Sequence, residues 1–261
     1  MIIARSLLFN VLFYLHLIVW MFISLPSLVL PGRYVWYFTR GWAKSSAWLL
    51  RVVAGTKVEV RGLENVPKTG CILASKHQSM WETVSLFEYF DRPAVILKRE
   101  LMFIPMFGWY ALKTRMIPIN REKGSTALKG MLGRAKEELA NGRPILIYPE
   151  GTRRPAGAPP AYKFGVAKLY ADLGVPVVPI ALNSGLYWPR REFRRFPGTI
   201  ILEILPPIAP GLSTEAFLVE LQNAIEPVAN RLLVEAAQSS TPPPFSEQAR
   251  ASAALANGAG R

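Results

Sequence analysis

From Lys57 onward, short apolar runs rich in β-branched residues alternate with longer segments whose apolar residues recur at helical spacing. The predicted strands are Val58–Val60, Cys71–Ala74, Ala94–Leu97, Met116–Ile119, Ile145–Tyr148, Val177–Leu182 and Thr199–Leu205. The predicted helices are Ser79–Tyr89, Ser125–Ala140, Phe164–Leu173 and Ser213–Ala237. This alternation predicts an α/β domain with a mixed, largely parallel sheet flanked by helices, whose sites lie at strand ends.

The N-terminal part of the chain has a different character. No acidic residue precedes Glu59, and the stretch Ser6–Gly32 contains no Asp, Glu, Lys or Arg. It is long enough to span a bilayer, which needs about 20 apolar residues. A cleaved signal peptide is the alternative, although no small-x-small cleavage site follows the apolar run. Whether the segment crosses the bilayer fully is left open.

Tyr34–Val53 mixes Trp, Tyr, Phe and Leu with Arg and Lys, which is typical of a helix lying in the headgroup plane. An ordinary amphipathic helix packed on the domain is the alternative. We therefore predict a membrane-engaged two-helix segment over residues 1–54 and an α/β domain over residues 55–238. Residues 239–261 are rich in Pro, Ala, Gly and Ser, which predicts a disordered tail.

The net charge of +13 on a chain that is 51% hydrophobic favours partners that are both anionic and membrane-bound. Nucleic-acid binders are basic but seldom this apolar, so we predict no nucleic-acid partner. The basic residues after the apolar run place the domain on the cytoplasmic side of the membrane by the positive-inside rule. Cys71 is the only cysteine, which excludes an intrachain disulfide and a multi-thiolate zinc site.

His77 and Glu82 are the leading candidates for chemistry. The chain has two histidines, and the other, His16, lies in the apolar N-terminal run. A carboxylate five positions after a histidine reaches back to the ring if a helix begins between them. That arrangement holds one imidazole tautomer while the ring acts as a general base. Metal catalysis is not expected, because a histidine–glutamate pair would need further ligands.

Two further segments follow predicted strands. Tyr148–Arg153 has the sequence Tyr-Pro-Glu-Gly-Thr-Arg, in which the glycine permits close backbone approach and the arginine can hold an anion. Lys98 and Arg121 lie in basic clusters after the third and fourth strands and suit phosphate binding. Taken alone, Tyr148–Arg153 is also consistent with an ordinary turn, and the basic clusters are also consistent with a solvated edge of the domain.

Together these segments resemble the glycerolipid acyltransferase family, which includes the lysophosphatidic acid acyltransferases. His77–Glu82 is similar to the family's His-x4-Asp motif except at its last residue, and Tyr148–Arg153 to its Phe-Pro-Glu-Gly-Thr-Arg block except at its first. Lys98–Gly108 with Arg121 resembles the second block, and Val175–Ile180 the fourth. The four blocks occur in the family's order along the predicted domain.

The resemblance implies a glycerol-3-phosphate acyltransferase-like fold and a membrane-bound O-acyltransferase of the inner membrane. His77 would be the general base, oriented by Glu82, for attack of the hydroxyl of 1-acyl-sn-glycerol-3-phosphate on an acyl thioester, giving phosphatidic acid. The donor would be acyl-CoA or acyl carrier protein, with no cofactor, and donors at the Gly151 backbone or nearby would stabilise the oxyanion. The residues implied to bind substrate are Lys98, Arg121, Glu150, Gly151, Thr152 and Arg153.

Two alternatives remain open from sequence. The same chemistry suits another acceptor, such as lyso-ornithine lipid, another lysophospholipid or glycerol-3-phosphate. A non-catalytic basic protein that coats anionic membranes is the alternative of a different class, although it would have no need for the His77–Glu82 pair.

Overall fold

The computed structural model describes residues 1–120, 124–245 and 247–258. The strands are β1 (Thr56–Arg61), β2 (Ile72–Ser75), β3 (Ala94–Lys98), β4 (Ile117–Ile119), β5 (Ile145–Ile147), β6 (Val177–Leu182) and β7 (Gly198–Ile204). The helices are α1 (Ile2–Ile23), α2 (Arg33–Leu49), α3 (Trp81–Tyr89), α4 (Phe107–Lys113), α5 (Gly124–Ala140), α6 (Phe164–Leu173), α7 (Ser184–Tyr187), α8 (Thr214–Ala237) and α9 (Glu247–Gly258).

The described strands form one seven-stranded sheet in the order β1-β7-β6-β2-β5-β3-β4. Five neighbouring strands, from β6 to β4, run parallel to one another. β7 pairs antiparallel with β6 and parallel with β1, so β7 and the edge strand β1 run the opposite way. The predicted mixed, largely parallel sheet is therefore confirmed, and β2 lies at its centre.

The sheet separates two apolar layers because successive residues of each central strand point to opposite faces. In β2, Leu73 faces a layer that includes α1, α3 and part of α9, whereas Ile72 and Ala74 face α5, α6 and α8. All three side chains are completely buried. Burial on both faces explains why the central strands have continuous apolar sequences rather than alternating ones.

Each predicted strand and helix of the domain has a counterpart in the structure. Two short helices, α4 and α7, were not predicted, because seven and four residues are too few to show a helical period.

The predicted disordered tail also differs from the structure, which has α9 there. Ala249 and Ala253 of α9 are buried against the core, and the Ser252 hydroxyl donates to the Gly157 carbonyl at 2.8 Å. Small alanines pack closely without large apolar groups, which the prediction of disorder overlooked.

The N-terminal segment forms two helices, and α2 ends in a turn of π-helix over Leu50–Ala54. Among the described residues, α1 is the one helix long and apolar enough to cross a membrane, with a mean hydropathy of 2.1 over its best window. Only 17% of that window is buried. Most of the apolar surface of α1 therefore faces away from the protein.

A narrow stripe on α1 holds it to the domain. Phe9 and Phe13, one helical turn apart, pack edge-on against the ring of Trp188 at centroid distances of 5.2 and 5.1 Å. Beside them, the buried Arg195 donates from its backbone to the Ser6 hydroxyl and from its guanidinium to the Asn10 side chain, each at 2.9 Å. The polar residues of the apolar run thus face the domain rather than the surroundings.

We expect Phe9→Ala to weaken the docking of α1 by about 3–5 kcal/mol, because the substitution leaves a cavity against Trp188. Hydrogen exchange of α1 and of the Trp188 segment in detergent measures this as faster opening. Phe22→Ala is the matched control, since the Phe22 side chain is 59% exposed. Equal exchange in the two variants would show that the stripe does not hold the helix.

Candidate active site

The candidate site lies where the carboxyl ends of the parallel strands meet at one edge of the sheet. His77 follows the central strand β2, and β6 and β5 flank it on either side. Ser184 begins the helix after β6, and Glu150 lies in the loop after β5. Chain segments that are distant in sequence are therefore neighbours here.

The His77 ring and the Glu82 carboxylate are in direct contact, with Nδ1 and Oε1 2.9 Å apart. Helix α3 begins at Trp81, so the chain turns between the two residues as the spacing predicts. The His77 side chain is 12% exposed and that of Glu82 is fully buried. A carboxylate at Nδ1 favours the tautomer that carries its proton there, which leaves Nε2 as an acceptor for a proton.

The buried Glu82 carboxylate has a full set of donors. Its Oε1 atom also accepts hydrogen bonds from the backbone N–H groups of Gln78 and Ser79, both at 2.6 Å. Its Oε2 atom accepts one from the Ser184 hydroxyl at 2.8 Å. The position in the first turn of α3 adds the favourable end of the helix dipole. These contacts fix the carboxylate and, through it, the His77 ring.

Ser184 is a site residue that sequence reasoning missed, since it lies 102 positions from Glu82. The next residue strengthens the contact, because the Gly185 N–H donates to the Gln78 side-chain oxygen at 3.0 Å. A Cβ atom at Gly185 would lie 2.9 Å from the Gln78 Cβ atom, so glycine is needed for this close approach. The turn after β6 is thus clamped onto the turn that carries His77.

Tyr148 replaces the phenylalanine of the family block and stacks on His77. The two ring centroids are 4.0 Å apart with an interplanar angle of 19°. The Tyr148 hydroxyl donates to the Glu82 carbonyl at 3.3 Å. Burial, with the Glu82 charge nearby, raises the pKa of Tyr148 well above its ordinary value, so the hydroxyl stays protonated. The ring restricts the imidazole without competing for its proton.

Glu150, which sequence analysis placed among the substrate-binding residues, points inward. It is 1% exposed, and its Oε1 atom lies 3.1 Å from the Lys76 ammonium. Lys76 also pairs with Glu226 of α8 at 2.9 Å, and the Tyr162 hydroxyl donates to Glu226 at 2.6 Å. The buried carboxylate faces this network, and the substrate-binding role that the resemblance implies for Glu150 stays a prediction.

Burial raises the pKa of Glu150 above its ordinary value, and the Lys76 charge partly opposes this effect. Lys76 and Glu226 were not among the sequence candidates. Lys76 directly precedes His77, which was a signal in the sequence, but Glu226 is 150 positions away and gave none. The network joins the residue after β2, the loop after β5 and α8, directly next to His77 in the chain.

Gly151 adopts a left-handed backbone with φ 66°, which favours glycine. Its N–H donates to the Tyr148 carbonyl at 2.8 Å within the turn, so the predicted oxyanion donor at this backbone position is already engaged. Thr152 is exposed and Arg153 is half-buried. The Arg154 N–H donates to the His77 carbonyl at 2.8 Å and ties this loop to the candidate base.

The predicted phosphate-binding residues lie farther along the same edge. Lys98 ends β3 with its side chain exposed. β3 is two strands from β2, which corresponds to roughly 10 Å at the usual strand spacing. Arg121 lies outside the described residues.

Cys71 is 1% exposed, as its place in a buried strand predicts, and burial raises the pKa of its thiol to about 11.

The chain is similar in sequence to known proteins. Residues 57–183 match a family model described as Acyltransferase. A 1-acyl-sn-glycerol-3-phosphate acyltransferase of Pseudomonas aeruginosa is 41% identical over 77% of this chain and 79% of its own length. The mouse 1-acyl-sn-glycerol-3-phosphate acyltransferase alpha is 31% identical over 59% of this chain and 56% of its own.

A solved structure has the same fold. The crystal structure of the 1-acyl-sn-glycerophosphate (LPA) acyltransferase PlsC from Thermotoga maritima superposes with a TM-score of 0.75 at 26% identity. The match covers 89% of this chain and 98% of that one, so it includes much of the N-terminal segment as well as the domain.

We compare the free energy of unfolding of the wild type with that of Glu150→Gln. The advantage of the wild type should fall as the pH rises from about 4 to about 7. A raised pKa in the folded state means that the folded protein binds the proton more tightly than the unfolded chain. The contribution of Glu150 is therefore largest below its unfolded pKa of about 4.3 and is lost as the pH rises through its folded pKa.

Denaturant unfolding in detergent across this pH range measures the difference between the two proteins. Glu220→Gln, at an exposed position of α8, controls for the loss of one carboxylate. A difference that stays constant with pH, or that grows in favour of the wild type, would contradict the buried position of Glu150.

Proposed function

Since the chain belongs to the glycerolipid acyltransferase family and is a 1-acylglycerol-3-phosphate O-acyltransferase, we propose that His77 is its general base and that Glu82 orients that base. The acyl donor is a thioester, the acceptor is 1-acyl-sn-glycerol-3-phosphate and the product is phosphatidic acid. The observation that carries the mechanism is the 2.9 Å contact between His77 Nδ1 and a fully buried Glu82 carboxylate.

In this mechanism the Nε2 atom of His77 takes the proton from the acceptor hydroxyl as its oxygen attacks the thioester carbonyl. A new carbon–oxygen bond forms, and negative charge develops on the former carbonyl oxygen. The carbon–sulfur bond then breaks, and His77 returns the proton to the leaving thiolate. Glu82 stabilises the imidazolium between these two steps without taking the proton itself.

The oxyanion needs a hydrogen-bond donor near the His77 ring. Because the Gly151 N–H is engaged in the turn, we assign this part to the exposed Thr152 hydroxyl, which is next in the chain. The half-buried Arg153 guanidinium adds positive charge at the same loop. No enzyme nucleophile is required, and the buried Cys71 thiol is not placed to act as one.

Basic side chains at the sheet edge suit the acceptor's phosphate. Lys98 ends β3 and Arg153 lies in the loop after the neighbouring strand β5, and their charges attract a phosphate dianion. Arg121, which the resemblance also implies, is kept as part of this proposal. The donor is acyl-CoA or acyl carrier protein, and the reaction needs no cofactor beyond that thioester.

The place of action in this proposal is the cytoplasmic face of the inner membrane. Acceptor and product are both lipids, and α1 offers an exposed apolar surface long enough for a bilayer. The absence of acidic residues before Glu59 supports attachment of the N-terminal segment to anionic lipid. Residues 1–54 are then the membrane-engaged part and residues 55–238 the catalytic domain.

Another lysolipid acceptor, such as lyso-ornithine lipid, or glycerol-3-phosphate would use the same base and the same donor. Each of these acceptors offers a hydroxyl to the same base, and they differ from lysophosphatidate in headgroup, in acyl chain or in the position of that hydroxyl. Parallel assays with each acceptor separate the possibilities, and the proposal requires the highest kcat/KM with lysophosphatidate.

Replacing His77 by Gln should lower kcat by about 10²–10⁴-fold, the usual contribution of a general base. The assay follows transfer of a labelled acyl group from a thioester to lysophosphatidate by purified protein in detergent. His16→Gln is the matched control, since His16 lies on α1 and bonds to the Ser45 hydroxyl of α2. Undiminished transfer in His77→Gln would refute the mechanism.

Glu82→Asp should keep much activity and Glu82→Ala far less, since only the former retains a carboxylate.

Ser184→Ala should lower kcat/KM roughly tenfold, because it removes a hydrogen bond to a buried charge. Ser184→Thr, which keeps the hydroxyl, should retain most of the activity. In a Glu82→Asp background the added loss from Ser184→Ala should be small, since the shorter side chain has already withdrawn from Ser184. Equal losses in both backgrounds would show that Ser184 does not act through Glu82.

A further inference from the structure

Large apolar side chains stand exposed on the segment that follows β3. Phe103 is 72% exposed, Ile104 45%, Trp109 57% and Leu112 71%. Single exposed apolar residues are ordinary on a protein surface, but a group of this size within ten or so residues marks a surface that meets another apolar phase. These residues are not part of the proposed chemistry.

The segment presents these side chains from a packed framework. Trp109 and Leu112 are three residues apart on one face of α4, while Gly108 and Ala111 are buried on the other. A Cβ atom at Gly108 would lie 2.0 Å from the Met102 carbonyl oxygen, so the helix packs directly on the preceding turn. The apolar face is therefore held outward by local packing.

This face is continuous with the end of α1. The Tyr110 hydroxyl donates to the Met21 carbonyl at 2.6 Å, which fixes α4 beside the last turn of α1. The Lys113 carbonyl lies against Gly32, 3.7 Å from where a Cβ atom would be. Val29, in the connection between α1 and α2, is 88% exposed. Helix α4 and this connection thus form one apolar surface.

The charges around this surface are mainly basic. Lys98 and Arg99 precede it and Lys113 ends it, and the Arg99 guanidinium lies 5.9 Å from the Phe103 ring centroid. Glu100 is the acidic residue among them. An apolar face with a basic rim suits the boundary between acyl chains and anionic headgroups. A second copy of the chain, with its net charge of +13, is a poorer match for this basic rim.

We propose that residues 101–113 insert into the lipid bilayer as a second contact beside α1. This inference rests on the membrane association in the proposed function and extends it to a part of the catalytic domain. Insertion would bring the end of β3, with Lys98, to the headgroup level. The edge of the sheet that carries His77 would then face the membrane from which the acceptor comes.

A fluorophore on an introduced cysteine tests the insertion directly. Cys71 is buried and its pKa is raised to about 11, so Leu112→Cys can be labelled selectively with an environment-sensitive dye in the full chain. Val219→Cys on α8, at a position 58% exposed, is the matched control. In vesicles of phosphatidylcholine and phosphatidylglycerol, we expect a blue shift and quenching by brominated lipids at position 112 only.

Absence of quenching at position 112 would overturn the proposal. Quenching that requires a high ratio of protein to lipid, with energy transfer between labelled copies, would assign the surface to a second copy instead and would also overturn it. These readouts do not depend on catalysis, so they stand even if the proposed activity fails.

Activity supplies a second readout. The double variant Trp109→Asp and Leu112→Asp should lose about tenfold or more in acyl transfer to long-chain lysophosphatidate in vesicles, since two apolar contacts with lipid are lost. Transfer to a short-chain acceptor that is monomeric in water should stay near the wild-type rate. Equal losses on both acceptors, or none on vesicles, would contradict insertion. A wild-type protein inactive on both would refute the proposed function and leave the fluorescence result to decide the inference.

Discussion

The buried Glu82 carboxylate is the contact on which the candidate site depends. A carboxylate with no exposure is costly unless donors satisfy it. Here the donors come from three sources: the His77 ring, the Gln78 and Ser79 backbone, and the Ser184 hydroxyl. Removing any one leaves charge less compensated in an apolar interior. The same contacts that stabilise the charge therefore impose one orientation on the His77 ring.

A second buried charge cluster is centred on the residue before His77. Lys76, one residue before His77, is clamped between Glu150 and Glu226, which belong to the loop after β5 and to α8. The backbone that carries His77 is thus held on one side by an ion-paired network and on the other by the Ser184 turn. The loop after β5 is tied in again by the Arg154 N–H on the His77 carbonyl. We infer that this network serves mainly to fix the geometry of the site, since a buried ion pair is weak evidence for added stability.

Sequence patterns were enough to predict the strands, the position of His77 at a strand end and its pairing with Glu82, because each rests on local spacing. The support around that pair was not predictable. Ser184 and Glu226 reach the site only through the order of strands and the packing of α8, which no local pattern records. The inward orientation of Glu150 was not predictable for the same reason, since its motif looks identical whether the carboxylate points outward or toward Lys76. Helix α9 was missed because alanines carry little apolar signal yet pack closely.

Glutamate in place of the family's aspartate is explained by where its carboxylate goes. The longer side chain reaches the backbone donors of the turn and still extends Oε2 to Ser184 after β6. A shorter side chain anchored at the same backbone position would have to give up one of these contacts. The added methylene is therefore matched by a hydroxyl on the neighbouring strand's turn, and Gly185 permits that turn to approach closely enough. Glu82, which stands where the family motif has aspartate, and the Ser184-Gly185 pair therefore form a single structural unit.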